Sequence, residues 1–447
     1  MGIFSSLTKN HKEAIGLLQI GTFLEYFDLM LYVHMVVILN ELFFPKTDPH
    51  TARIISAFTF CTTFVFRPLG ALIFGYLGDT IGRKATIVLT TFLMAISCFI
   101  MAILPTYAQI GITAAWLLTM CRILQGISSL GERTGAELYL VETIKLPARY
   151  PIVALLTVAS SLGGTVSLAI CYLITSFGYI MGWRIVFLIG ALVALIGSIA
   201  RTTLRETPDF ADAKRRISNA ISQANEDPAC LKKNIIMKEK TNPKTALSLF
   251  LIQCTWPACC YFFYIYCGSI LKNSFGFTAE QIISQNFIVS IAQLVGDSFI
   301  AYVCYKIYPL NILKTKLIIF TAFILCCPYL LSNISSSYVM LLIQMFAVVF
   351  VPTVYPATPI FYIHFPVFKR FTYPCLVHSL SRALMYVITS FGIIYLVNYF
   401  DNYGILIIML PILLGYTFGL FHFVKLEKVA GNYPEKKTQV PLCEVYQ

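Results

Sequence analysis

Two carboxylates three residues apart, Glu25 and Asp28, sit inside the apolar stretch "GTFLEYFDLMLY" at residues 21–32. On a helix that spacing puts them on one face, with Cβ atoms about 5–6 Å apart. Two ionised carboxylates that close in a low dielectric repel, so one of them tends to hold a proton unless a cation intervenes. A carboxyl poised in this way can take up and release a proton. Arg122, in "CRILQG", is the cation expected at a similar depth. A guanidinium can pair with one carboxylate, or hold a ligand's carboxylate through two parallel hydrogen bonds. Arg67, in "FRPLG", either shares that work or contacts the loop that follows it. The alternative for these charges is an ion pair that fixes the packing of two helices.

Such charges need elements that lie in oil. The chain has 447 residues, 58% hydrophobic and only 12% charged, against about 25% charged in an ordinary soluble domain. Apolar stretches of about 20 residues, enough to cross a hydrocarbon core of about 30 Å, recur along the whole length. We read twelve of them, the first near 15–40, the ninth near 316–332 and the last near 403–424. The expected fold is an all-α membrane protein, with twelve transmembrane helices in two six-helix bundles. The bundles are residues 1–203 and 245–424; a polar linker occupies 204–244 and a polar tail 425–447. The linker is expected to hold a short amphipathic helix at 209–222. Residues 1–13 are polar and do not read as a cleavable signal peptide.

The net charge of +12 follows from topology. With both termini cytoplasmic, the cytoplasmic segments hold most of the 33 basic residues, whereas the outer loops hold Lys46, Arg53, Arg184 and Lys272. That is the asymmetry of a multi-pass membrane protein, and no nucleic-acid partner is expected. The 14 cysteines lie almost all in apolar runs without a C-x-x-C pair, and read as packing residues with no metal role. No G-x-x-x-x-G-K-[ST] loop occurs, so direct ATP drive is not expected; no cofactor is expected either.

The loop "GYLGDTIGRKATI", Gly75 to Ile87, joins spans two and three. A tight reversal suits Gly78 and Gly82. Asp79 falls near a helix end, where backbone N–H groups or an arginine can hold it, and Arg83 and Lys84 lie at the cytoplasmic face. Farther on, "CRILQGISSLGERTGAELYLVETIKLPAR" sets Glu132 and Glu137 about three and four turns beyond Arg122. Glu142 and Arg149 follow. Glu132, Glu137, Glu142 and Arg149 read as gate salt bridges to the 75–84 loop; a solvated helix end is the alternative.

The first loop resembles the major facilitator signature G-x-L-x-D-x-x-G-R-K/R, and "RILQG" resembles the same family's R-x-x-Q-G motif. "EYFDLMLY", "FRPLGALIFGYLGDTIGRK", "RILQGISSLGE", "WRIVFLIG" and "RETPDF" follow one another as in its metabolite:proton symporters. That group includes bacterial proline/betaine, α-ketoglutarate, citrate and shikimate transporters. The likeness covers residues 15–210 well and the second half less. There "HFPVFKRFTYP" resembles an F-P-x-x-x-R segment with Arg370 at the arginine, but His364 stands where an acidic residue is usual. The second copy of the gate loop, "AYVCYKIYPL" at 301–310, lacks the aspartate and both glycines.

Aromatics are dense in "WPACCYFFYIY" and "VYPATPIFYIHF". Trp256, Tyr264 and Tyr355, with Tyr26, are either a cage for a quaternary ammonium or lipid-facing rings. Pro257, Pro352, Pro356 and Pro359 break backbone ladders there, as in gating segments that line a cavity. Asp297 and Arg382 are expected to neutralise each other. The resemblance implies a secondary active transporter, not an enzyme, working by alternating access in a bacterial inner membrane with both termini cytoplasmic. Its partners would be a small-molecule substrate, a proton and the lipid bilayer, and it would act as a monomer. The implied substrate is a small carboxylate-bearing metabolite: a zwitterion such as proline or betaine, or an organic acid such as α-ketoglutarate. Two other readings stay open, a transporter-like sensor that moves nothing and a sugar porter.

Overall fold

The computed structural model describes residues 7–45, 64–176, 182–223 and 241–434, and these are helical almost throughout. Twelve successive helical spans can be traced. In the first half they are α1 (Lys9–Phe43), α2 (Arg67–Thr80), α3 (Arg83–Ile103), α4 (Ile112–Thr143), α5 (Arg149–Ser176) and α6 (Gly182–Arg201). In the second half α7 runs from Pro243–Gln253 through Thr255–Cys260 and a π-helical turn, Tyr261–Tyr266, to Cys267–Phe275. Then come α8 (Ala279–Val303), α9 (Pro309–Ser332), α10 (Ser337–Phe350), α11 (Thr372–Phe400) and α12 (Gly404–Val429). Among the described residues, six helices are long and apolar enough to cross a membrane by length and composition alone. The amphipathic linker helix runs Pro208–Gln223, and residues 224–240 of the linker lie outside the described set.

Local sequence sets the starts and breaks. Asn242 caps α7 by accepting from the Lys244 N–H (2.9 Å), with Pro243 in the first turn where its missing N–H is harmless. Thr278 and Gln281 form a capping box at the head of α8. Pro257 cannot donate to the fourth residue before it, and α7 is broken there, between Gln253 and Thr255. Likewise α10 stops at Phe350, two residues before Pro352, and the chain turns helical again only at Thr358–Ile363.

In the first half α1 packs on α5, α4 and α6, while α3 packs on α4 and α6; in the second, α7 packs on α11 and α12, α8 on α10, and α9 on α12. The halves meet along two seams, α5 against α8 and α2 against α11. Large apolar side chains such as Tyr76, Trp116, Phe299, Ile318 and Leu414 point outward. In water that surface would be a liability; against acyl chains it is satisfied. Ten cysteines among the described residues are in no disulfide.

Candidate functional site

The two halves enclose a cavity whose wall mixes polar side chains with aromatic and aliphatic ones. From α1 comes Tyr26; from α4, Arg133 and Glu137; from α5, Ser160, Ser161 and Thr165. The second half contributes Gln253, Trp256 and Tyr264 on the broken α7, Gln293 and Asp297 on α8, and Lys316 on α9. Tyr355 before the Thr358–Ile363 helix, and His378, Arg382 and Tyr386 on α11, complete it. The π-helical turn matters here: Tyr261, Tyr264 and Ile265 within it all face the cavity, a wider register that such turns often provide at functional sites.

All four aromatic candidates, Tyr26, Trp256, Tyr264 and Tyr355, therefore line the cavity rather than the lipid face. Glu25, Arg67 and Arg122 are buried, at 3%, 3% and 1% exposure, but the side chains of the wall are their neighbours. Arg67 lies over the Phe64 ring at 4.7 Å, and Phe64 packs at a tilt against Tyr386, ring centroids 4.4 Å apart. Glu25, Arg122 and Arg382 are within electrostatic reach of Arg67. Arg122 donates to Gln125 Oε1 (2.6 Å), whose amide donates to Cys98 Sγ on α3 (3.4 Å). The α1–α4 link at the wall itself is the Tyr26 hydroxyl with Arg133, whose guanidinium also stacks on that ring at 4.9 Å. The side chains of Asp28, His34 and Glu132 lie outside the described residues.

Asp297 and Arg382 do not neutralise each other. Asp297 accepts from the hydroxyls of Ser161 on α5 and Tyr355, and its cationic neighbour is Lys316. Arg382 turns instead to Gln253 Oε1 (3.4 Å) and to His378 Nδ1, one turn back on its own helix (3.1 Å). The reason is direction: Asp297 faces the α5–α8 seam and Arg382 faces α7.

At the basic end of the bundle, below the cavity, the halves are locked together. Asp79 accepts from the backbone N–H groups of Phe371 (3.0 Å) and Thr372 (2.8 Å) and from the Thr372 hydroxyl (2.7 Å). A carboxylate of the first half thus caps α11 of the second, where orphan N–H groups and the helix dipole favour an anion. Arg83 sits 3.4 Å from Asp79 and grips Glu142 through two bonds of 3.2 Å, while Nη1 and Nη2 reach the carbonyls of Gly78 and Val367, each at 2.7 Å. Glu142 also accepts from Thr207 (2.6 Å) and from Arg370 (3.4 Å). The linker takes part: Phe210 lies under the Arg83 guanidinium at 4.5 Å, and Glu206 accepts from the Arg83 N–H at 3.0 Å.

Of the residues read as salt bridges to this loop, Glu137 binds elsewhere. It accepts from Arg133 (3.2 Å) and from the Tyr362 hydroxyl of the second half (2.6 Å), at the cavity floor. Arg149 donates to the Ile144 carbonyl (2.6 Å) at the end of α4, and Lys84 is half-buried. Glu142, one turn and a half past Glu137, is the carboxylate that reaches Arg83. The degraded loop of the second half is closed differently. Tyr308 packs edge-on against Tyr150 of α5 at 6.1 Å and donates to Glu427 (2.6 Å), and Glu427 lies 2.7 Å from His364. Glu427 on α12 supplies the carboxylate that the sequence lacks before "FP".

Gly82 shows why the loop needs glycine. Its φ is +140°, and an added Cβ would collide with a Glu206 carboxylate oxygen. Gly82→Ala is expected to cost about 1–3 kcal/mol. Its measure is the thermal unfolding midpoint in detergent, and an unchanged midpoint would show that the loop tolerates a side chain.

Sequence reasoning missed Arg133, Ser161, Lys316 and His378. The i,i+4 pair Arg133 and Glu137 was a legible signal. Lys316 was hidden because the ninth span begins at Pro309, so a residue read as the edge of the span lies two turns inside it.

Two helical halves pack around a cavity and are tied together at one end by buried charges. The Major Facilitator Superfamily model matches residues 18–370, and the chain belongs to that family. The "Proline/betaine transporter" of Salmonella typhimurium is 36% identical over 204 residues, 44% of this chain and 41% of that protein. That of Escherichia coli K12 is 29% identical over 296 residues, 65% of this chain and 58% of that one. The E. coli "Inner membrane metabolite transport protein YhjE" is 35% identical over 224 residues, 48% of this chain and 50% of that one. The chain thus spans about half the length of these relatives. A solved structure of the proton:xylose symporter XylE superposes with a TM-score of 0.73 over 93% of this chain and 95% of that one, at 16% identity, a likeness of fold. These relatives are transporters by name, and the chain shares its family with them.

Proposed function

We propose that the chain is a proton symporter for a small zwitterion or monocarboxylate, acting as a monomer by alternating access in a bacterial inner membrane. Its locked, basic end and both termini face the cytoplasm, in keeping with the excess of Lys and Arg there. The observation that carries this reading is the composition of the cavity wall. Arg133, Lys316 and Arg382 face the same space as Glu137 and Asp297, among the rings of Tyr26, Trp256, Tyr264, Tyr355 and Tyr386. Arg133, Lys316 and Arg382 against Glu137 and Asp297 come to within one unit of zero, which suits a zwitterion or monoanion better than a dianion. Ring faces suit a quaternary or secondary ammonium, and relatives named for proline and betaine favour those two as first candidates.

In this reading Glu25, Asp28 and Arg122, with Arg67 behind Phe64, form the proton-handling group, and the Asp79–Arg83–Glu142 lock closes the cytoplasmic side. Counterflow in proteoliposomes, with labelled glycine betaine, L-proline and α-ketoglutarate, tests it. We expect exchange of a zwitterion, accelerated by an inward proton gradient, and little exchange of the dianion. Binding without exchange would make the chain a sensor; exchange indifferent to the gradient would remove the proton.

A further inference from the structure

Lys316 is a buried cation that faces the cavity. Its side chain is 95% buried, lines the cavity and lies two turns inside α9. The ammonium rests over the Tyr355 ring at 5.6 Å, with Asp297 in electrostatic reach. Among the described residues, no acceptor comes within hydrogen-bonding or ion-pair distance of it. The obvious partner is otherwise engaged, since the Asp297 oxygens accept from Ser161 and Tyr355. Three charged donors in a largely desolvated place are costly to leave unmade. The other cavity cations differ: Arg133 has Glu137 and Tyr26, and Arg382 has Gln253 and His378.

We infer that Lys316 is the anchor for the substrate's carboxylate. This rests on the proposed function and assigns the end of the cavity at which the anion binds. The carboxylate accepts from Nζ in a charge-assisted bond, displacing cavity water. The cationic end of the same molecule then lies against the ring faces of Trp256 and Tyr264 and the Asp297 charge. Because Asp297 also accepts from Ser161 of the first half, an anion on Lys316 sits beside the α5–α8 seam, where the halves must part.

The test uses the full chain in proteoliposomes and matched probes: glycine betaine against choline, and L-proline against L-prolinamide. Each pair keeps the cation and removes the carboxylate. Lys316→Gln is expected to raise the KM for the carboxylate-bearing probe by about tenfold or more, and to leave the carboxylate-free probe within about twofold. Lys316→Arg, which keeps the charge, is expected to keep the preference, and it stands in should Lys316→Gln fail to reach the membrane folded. An unchanged carboxylate preference in Lys316→Gln overturns the anchor, as does its loss in a folded Lys316→Arg. If the wild-type chain exchanges neither zwitterion, the proposed function falls and the anchor with it; if it does and the variants match it, only the anchor falls.

Discussion

Replacing Glu142 by glutamine opens the basic end of the bundle. The Glu142 side chain is fully buried and takes two bonds from Arg83, one from Arg370 and one from Thr207. Without its charge the two guanidinium groups lose the carboxylate they share in a dry seam, although Asp79 stays 3.4 Å from Arg83. Breaking a buried pair on one side costs about 3–5 kcal/mol. The closed arrangement bears that cost; in an open one the arginines reach water. A bias of about 3 kcal/mol moves the ratio of the two states by roughly a hundredfold. Cys375, fully buried on α11 beside the lock, reports the change. Its labelling by a hydrophilic maleimide, located by mass spectrometry, should rise by about that factor. A labelling rate equal to wild type would mean that the aromatic closure at Tyr150 and Tyr308 holds this end alone.

Neutralising the carboxylates of α1 should separate transport from its driving force. Glu25 is almost inaccessible at 3% exposure and shares its electrostatic surroundings with Arg67. A buried carboxyl whose charge matters to neighbouring arginines couples its proton to whichever arrangement those arginines prefer. Coupling free energies of this kind are about 1–3 kcal/mol, or roughly 5- to 150-fold. Glu25→Gln and Asp28→Asn, made separately, should each reduce gradient-driven accumulation by a factor in that range. Equilibrium exchange should persist, because the cavity wall is intact. If both variants accumulate substrate as well as wild type does, the pair only fixes the packing of α1 against its neighbours.

Much of the site can be located from residue order alone. The reversal at Gly78 to Arg83 needs glycine, an acid and a base in fixed sequence, because one short loop must turn, cap a helix and carry a charge. Prolines mark the breaks in α7 and after α10, since a missing N–H acts on its own helix whatever lies around it. The aromatic candidates were legible as residues but ambiguous in direction. Tyr264 reaches the cavity on a π-helical turn, and hydropathy is nearly the same for a ring facing lipid and one facing a cavity.

What the sequence settled by itself is local: apolar lengths, breaks, caps, the gate loop and the presence of charges that oil will not tolerate alone. What the tertiary structure decided is which of those charges meet. Glu142 rather than Glu137 reaches Arg83, Lys316 rather than Arg382 neighbours Asp297, and Glu427 stands in for an acid missing near His364. These partners lie on different helices and, apart from Lys316 and Asp297, far apart in the chain. Helix periodicity fixes a face relative to its own axis. The rotation and depth of one helix against another come only from packing small residues and rings along the seams, and electrostatic pairing follows that geometry.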